Sequence, residues 1–109
     1  TLTHSSAASD VYKRQNPDIP EEWAYIKQYS PYHNVKKGVD YPAIFFFGST
    51  RDDRVHPGHG RKMAALLKDM GQEVYYYENT EGGHGGSSTN DQMAYRLALA
   101  YTHLWSQLR

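Results

Sequence analysis

AIFFFGSTRDDRVHPGHG, at residues 43–60, decides the fold of this chain. Its first five residues form an unbroken apolar and aromatic run, bounded by Pro42 and Gly48. A run this short has no diagnostic period, but its length and its phenylalanines predict a strand buried on both faces. Burial on both faces belongs to a parallel sheet covered by helices.

The chain beyond this strand continues in the same style. Pro57 suits the first turn of a helix, Met63, Leu66, Leu67 and Met70 form one stripe, Lys68 lies in the last turn, and Gly71 supplies the stop. Residues 72–78 (QEVYYYE) predict a second strand, held by Val74 and three tyrosines packed as strand residues rather than as a ligand cage. Residues 79–86 (NTEGGHGG) form a glycine-rich loop. Thr89-x-x-Gln92 is a capping box. It opens a final helix whose stripe of Met93, Leu97, Tyr101, Leu104 and Leu108, widened by Ala94, Ala98 and Trp105, reads as core. Strand–helix–strand–helix order implies an α/β fold with right-handed crossovers on a parallel sheet.

Before the first strand, Pro20-Glu21-Glu22 reads as a helix start, with acids favoured by the positive end of the dipole. That helix carries Trp23, Ile26 and Tyr29 on one face and stops before Pro31, and residues 30–41 (SPYHNVKKGVDY) read as a loop. Residues 1–15 (TLTHSSAASDVYKRQ) are small, polar and aperiodic, and lack the pattern of a secretory signal. SSAASDVYKRQ resembles the translation of a sequencing-adapter junction. Residues 1–15 are therefore read as a non-native, disordered leader, and residues 16–109 as the C-terminal portion of a larger domain that continues upstream.

Composition excludes several classes. The chain has 109 residues, enough for one small domain. Its net charge is zero with both signs interspersed, which offers no footprint for nucleic acid or an anionic membrane. No apolar run approaches the ~20 residues that span a bilayer. Cysteine is absent, so neither disulfide nor thiolate chemistry arises, and cytosol, periplasm and secretion all stay open. Ten tyrosines suit a packed domain with polar clefts.

Functional groups of open parallel sheets gather beyond the carboxyl ends of the strands. Asp52, Asp53, Arg54 and His84 all fall there. An acid after one strand and a histidine after the next is how the last two members of a Ser–Asp–His triad are delivered. The acid must be ionised and aimed at one imidazole nitrogen, and the histidine needs the close approach that flanking glycines allow. The bland readings are that Asp52 caps the helix start and that His84 is a surface residue. Asp53 reads as structural or arginine-paired. His56 and His59 lie at a helix start and do not read as a metal site. His33 and His103 carry no partner signal. No G-x-S-x-G occurs, and Ser49, Ser87 and Ser88 do not sit in the strained strand-to-helix turn of a nucleophile.

From residue 16 onward the chain resembles the end of the catalytic domain of the prolyl oligopeptidase family of serine peptidases, an α/β-hydrolase fold. The resemblance rests on GSTRDDRVHPGHGRKM (residues 48–63) and EGGHGG (residues 81–86), with SPYHNV (residues 30–35) similar to the loop before the family's acid-bearing strand. It implies that Asp52 is the triad acid, His84 the general base, and Arg54 a substrate contact, with a structural ion pair as the other reading of Arg54. It also implies a peptide substrate and no cofactor or metal. The nucleophile, the oxyanion hole and the family's β-propeller would lie outside this sequence. The chain alone is then expected to be inactive and to fold poorly, with open sheet edges and apolar faces. The alternatives are a general α/β-hydrolase (an esterase or acylaminoacyl-type peptidase) and a non-catalytic interaction module.

Overall fold

A computed structural model describes residues 16–109, and the reading of residues 1–15 as a leader lies outside the described residues. The chain divides into two units, Thr1–Lys37 and Gly38–Arg109.

In the first unit, α1 (Pro20–Lys27) begins with proline, carries Glu21 and Glu22 in its first turn, and has Lys27 in its last. The loop expected from residue 30 contains one helical turn, α2 (Pro31–Asn34). The reason is local. Ser30 is extended and Pro31 is preset for the helix, while the Asn34 amide donates to the carbonyls of Lys27 and Ser30 at 2.7 Å each.

In the second unit, β1 (Ile44–Ser49) and β2 (Val74–Asn79) pair in parallel, with Ile44 opposite Val74 and Ser49 opposite Asn79. Between them runs α3 (Gly58–Asp69), and α4 (Asn90–Leu108) closes the chain. This is the strand–helix–strand–helix α/β arrangement, with a two-stranded parallel sheet. α3 packs on both strands and supplies the core residues Leu67, 2% exposed, and Ala64. It ends in a Schellman motif: the Gln72 N–H donates to Leu67 O and the Gly71 N–H to Lys68 O, both at 3.0 Å. Gly71, at φ +82°, adopts the left-handed conformation that the motif requires.

Strand alternation divides the side chains between two helices. Gly48 and Tyr76 approach each other on one face, where Tyr76 also lies beside Gly60 of α3. Phe45, Phe47, Tyr75 and Tyr77 occupy the other face and meet α4: His103 packs on Phe45 and Tyr75, and Tyr95 on Tyr77. The Phe47 and Tyr77 rings stack across the sheet at 5.6 Å. The tyrosines thus act as strand packing.

Two expectations change. β1 is half-buried rather than fully enclosed, because the described sheet has only two strands and both are edges. The stripe from Met93 to Leu108 is exposed, and Trp105 is 70% exposed. The face of α4 turned inward instead carries Gln92, Arg96, Leu99, Ala100 and His103. Its polar side chains have specific partners: the Arg96 guanidinium lies 5.1 Å over the Phe47 ring and His103 Nε2 sits 3.2 Å from Ala43 O. No described element covers the opposite, larger apolar stripe.

Candidate active site

Parallel pairing that ends level at Ser49 and Asn79 sends both following loops out of the same rim of the sheet. The first loop turns immediately, with the Asp52 N–H donating to Ser49 O at 3.3 Å. Asp52 Oδ1 then accepts the backbone N–H groups of Arg54 (3.0 Å) and Val55 (2.9 Å). The second loop makes a turn around His84, closed by the Gly86 N–H donating to Gly83 O at 2.9 Å. Gly86, at φ +84°, has no room for a side chain, since a Cβ would collide with Arg96 and come within 2.8 Å of the Phe47 ring.

The two loops meet at one contact. His84 Nδ1 lies 3.0 Å from Asp52 Oδ1 and 3.1 Å from Oδ2, across 32 residues of sequence. An ionised carboxylate only accepts, so Nδ1 carries the proton and donates it, which leaves the lone pair on Nε2. Among the described residues, Nε2 has no hydrogen-bond partner. The Asp52 side chain is 16% exposed and that of His84 47%, so the acid is sheltered and the imidazole open. The Val55 N–H above all, helped by that of Arg54 and by the His84 imidazole, lowers the Asp52 carboxyl from its ordinary value, against an opposing effect of burial second only to that of Val55. Asp52 organises its own turn and contacts the histidine, but it does not cap α3, whose start has no side-chain cap hydrogen bond.

The remaining candidates separate from this pair. Arg54 is exposed and has no ion pair among the described residues, and Asp53 is likewise exposed and unpaired. His56 Nδ1 accepts the Gly58 N–H at 2.9 Å, a local tie at the start of α3. No cluster of three or more metal-ligating side chains occurs among the described residues. Ser49 is buried, and the hydroxyls of Ser49 and Ser87 have no hydrogen-bond partner among the described residues.

Beside the pair lies a network that sequence reading overlooked. Glu78 Oε2 accepts from Thr50 Oγ1 at 2.6 Å, and Arg61 donates to both its carboxylate oxygens at 2.8 and 2.6 Å. Tyr76 OH donates to Glu78 Oε1 at 2.6 Å. The Arg61 hydrogen bonds, then those from Thr50 and Tyr76, push Glu78 down to about 2. Arg96 Nη1 donates to Gly85 O at 3.2 Å, bracing the histidine loop from α4. Asn79 and Gln92 join these loops from below. An asparagine closing a strand before a glycine loop was the available signal, since asparagine caps such turns.

The sequence model of the prolyl oligopeptidase family of peptidases matches residues 1–109. The chain belongs to the prolyl oligopeptidase family. It is 51% identical over 104 residues to a peptidase of Sinorhizobium fredii named "uncharacterized peptidase y4nA", covering 95% of this chain and 14% of that protein. It is 38% identical over 79 residues to a prolyl endopeptidase of Elizabethkingia miricola, covering 70% of this chain and 11% of the relative. It is 31% identical over 96 residues to dipeptidyl aminopeptidase BI of Pseudoxanthomonas mexicana, covering 85% and 13% of the two. This prolyl oligopeptidase-family chain therefore spans about one seventh or less of the length of these relatives.

Proposed function

We propose that residues 16–109 are the C-terminal portion of the catalytic domain of a serine peptidase that cleaves peptide bonds, and that they supply its acid and its base. The observation that carries this reading is the 3.0 Å contact between His84 Nδ1 and Asp52 beside an unpartnered Nε2. In the reaction, a serine elsewhere in the domain attacks the peptide carbonyl. His84 Nε2 takes the hydroxyl proton and returns it to the leaving amine, while Asp52 holds the tautomer and stabilises the imidazolium. Arg54, exposed beside Asp52 and free of an ion pair among the described residues, contacts the bound peptide. The relatives named as prolyl endopeptidases support cleavage after proline.

Asp52→Asn in the full-length peptidase tests the assignment. The backbone N–H groups of Arg54 and Val55 both require an acceptor at Oδ1, so the amide nitrogen must occupy the Oδ2 position, 3.1 Å from Nδ1. The donor there competes with the Oδ1 acceptor, 3.0 Å from Nδ1, and favours the tautomer with its proton on Nε2, which is no base. We expect kcat on a chromogenic proline-containing peptide to fall by about four orders of magnitude. Activity within tenfold of wild type would take Asp52 out of the mechanism.

A further inference from the structure

We propose that Asn79 is a positioning residue for the Asp52–His84 pair, because this one side chain and its peptide group tie together both loops and the helix behind them. Asn79 is the last residue of β2 and is 3% exposed. Its carbonyl accepts the Thr50 N–H at 2.9 Å, which fixes the start of the acid loop two residues before Asp52. Its side-chain Oδ1 accepts the N–H groups of Glu81 at 2.9 Å and Gly82 at 2.7 Å, which fixes the start of the histidine loop two residues before His84. Its Nδ2 donates to Gln92 Oε1 at 3.1 Å in the first turn of α4.

The partners extend the tie. Gln92 Oε1 also accepts from the Ser88 N–H at 2.8 Å and the Ser88 hydroxyl at 2.7 Å, where the histidine loop re-enters α4. The Gln92 Nε2 donates to Glu81. Both ends of the histidine loop are therefore held by one amide–amide contact, and the acid loop hangs from the same residue. The register that places Ser49 opposite Asn79 makes this geometry available.

The chemistry selects asparagine. The two loop N–H groups need an acceptor, Gln92 Oε1 takes a further donor beside the two from Ser88, and one short side chain carrying both fills a buried site. Alanine would strand two N–H groups in a place with little water. The acid loop would keep its tie to the carbonyl of residue 79 while the histidine loop lost its anchor, and a misplacement near 1 Å costs about 100-fold in rate.

This inference rests on the assignment of Asp52 and His84 as acid and base, and the experiment separates the two. In the full-length peptidase, Asn79→Ala, Asn79→Asp, Asp52→Asn and the Asn79→Ala/Asp52→Asn double variant are compared by kcat, KM and thermal unfolding. Asn79→Ala should lower kcat by roughly 100-fold with KM little changed. Asn79→Asp keeps the acceptor for the loop but sets a carboxylate oxygen against Gln92 Oε1, so it should recover part of that rate. In the double variant kcat should match that of Asp52→Asn alone, since a tie that acts through the pair has nothing left to position. A kcat for Asn79→Ala within threefold of wild type, or losses that simply multiply in the double variant, would overturn the proposal. If Asn79→Ala does not fold, a folded Asn79→Asp that is slower than wild type yet faster than Asp52→Asn supports the proposal. One as slow as Asp52→Asn overturns it. An Asp52→Asn enzyme with undiminished kcat removes the acid–base assignment and this inference with it. A slow Asp52→Asn beside a fast Asn79→Ala removes the inference alone.

Discussion

Gly82→Ala is the sharpest perturbation available in the histidine loop. A Cβ on Gly82 would stand 2.8 Å from Ser87 N and 3.0 Å from both Gly86 C and Ser87 Cα. All three atoms are backbone, so no side-chain rotation relieves the clash. Reaching an ordinary contact of 3.4 Å needs a displacement of at least 0.6 Å between the two limbs of the loop. His84 lies between those limbs, and its bond to Asp52 is 3.0 Å long. If the full 0.6 Å falls on this contact, the separation becomes about 3.6 Å, which is no longer a hydrogen bond. Overpacking of this kind costs about 1–3 kcal/mol, read as a lower urea midpoint at unchanged slope. In the full-length peptidase kcat should fall by between tenfold and 100-fold, with KM moving little, given the cost of small misplacements. Gly85→Ala is the control. A Cβ there meets nothing within 4 Å, so the urea midpoint should be unchanged. Gly82→Ala with wild-type urea midpoint and kcat would refute the claim that the loop's closed packing holds the histidine in place.

Two further outcomes follow from the same rim. Glu78 has a folded pKa lowered from 4.5 to about 2, and Asp52 is shifted in the same direction. Their contribution to stability is therefore complete above pH 4.5 and is lost as pH falls from about 4.5 through about 2. The thermal midpoint should drop across that window, and Glu78→Gln should flatten the drop; a wild-type midpoint constant over the window would contradict the network. The 109-residue chain, lacking a G-x-S-x-G serine, should not be labelled by a serine-directed phosphonate probe, whereas the full-length peptidase should be. Stoichiometric labelling of the chain would overturn that expectation.

Sequence reading worked well where the signal is short-ranged. The stripe of α3, its Gly71 stop, the Thr89 cap and the two apolar runs each depend on contacts within a few residues, and each appears at or near its expected place. The same local logic misled in α4. The stripe from Met93 to Leu108 has the stronger apolar period, yet the face of Gln92, Arg96 and His103 is the one that meets the sheet. Hydrophobic period identifies a face that prefers burial, but specific partners for the guanidinium and the imidazole chose the orientation within this chain.

Apart from the helical turn of α2, the order of elements, the α/β class and the placement of Asp52 and His84 in loops beyond successive strands were determined by the sequence alone, because propensity and alternation act along the chain. Tertiary structure decided which imidazole nitrogen meets Asp52, and that Asn79 joins the loops. The physical reason is the parallel register. It brings to one rim residues 32 apart in sequence, whose contact depends on how two strands align rather than on anything local to either residue.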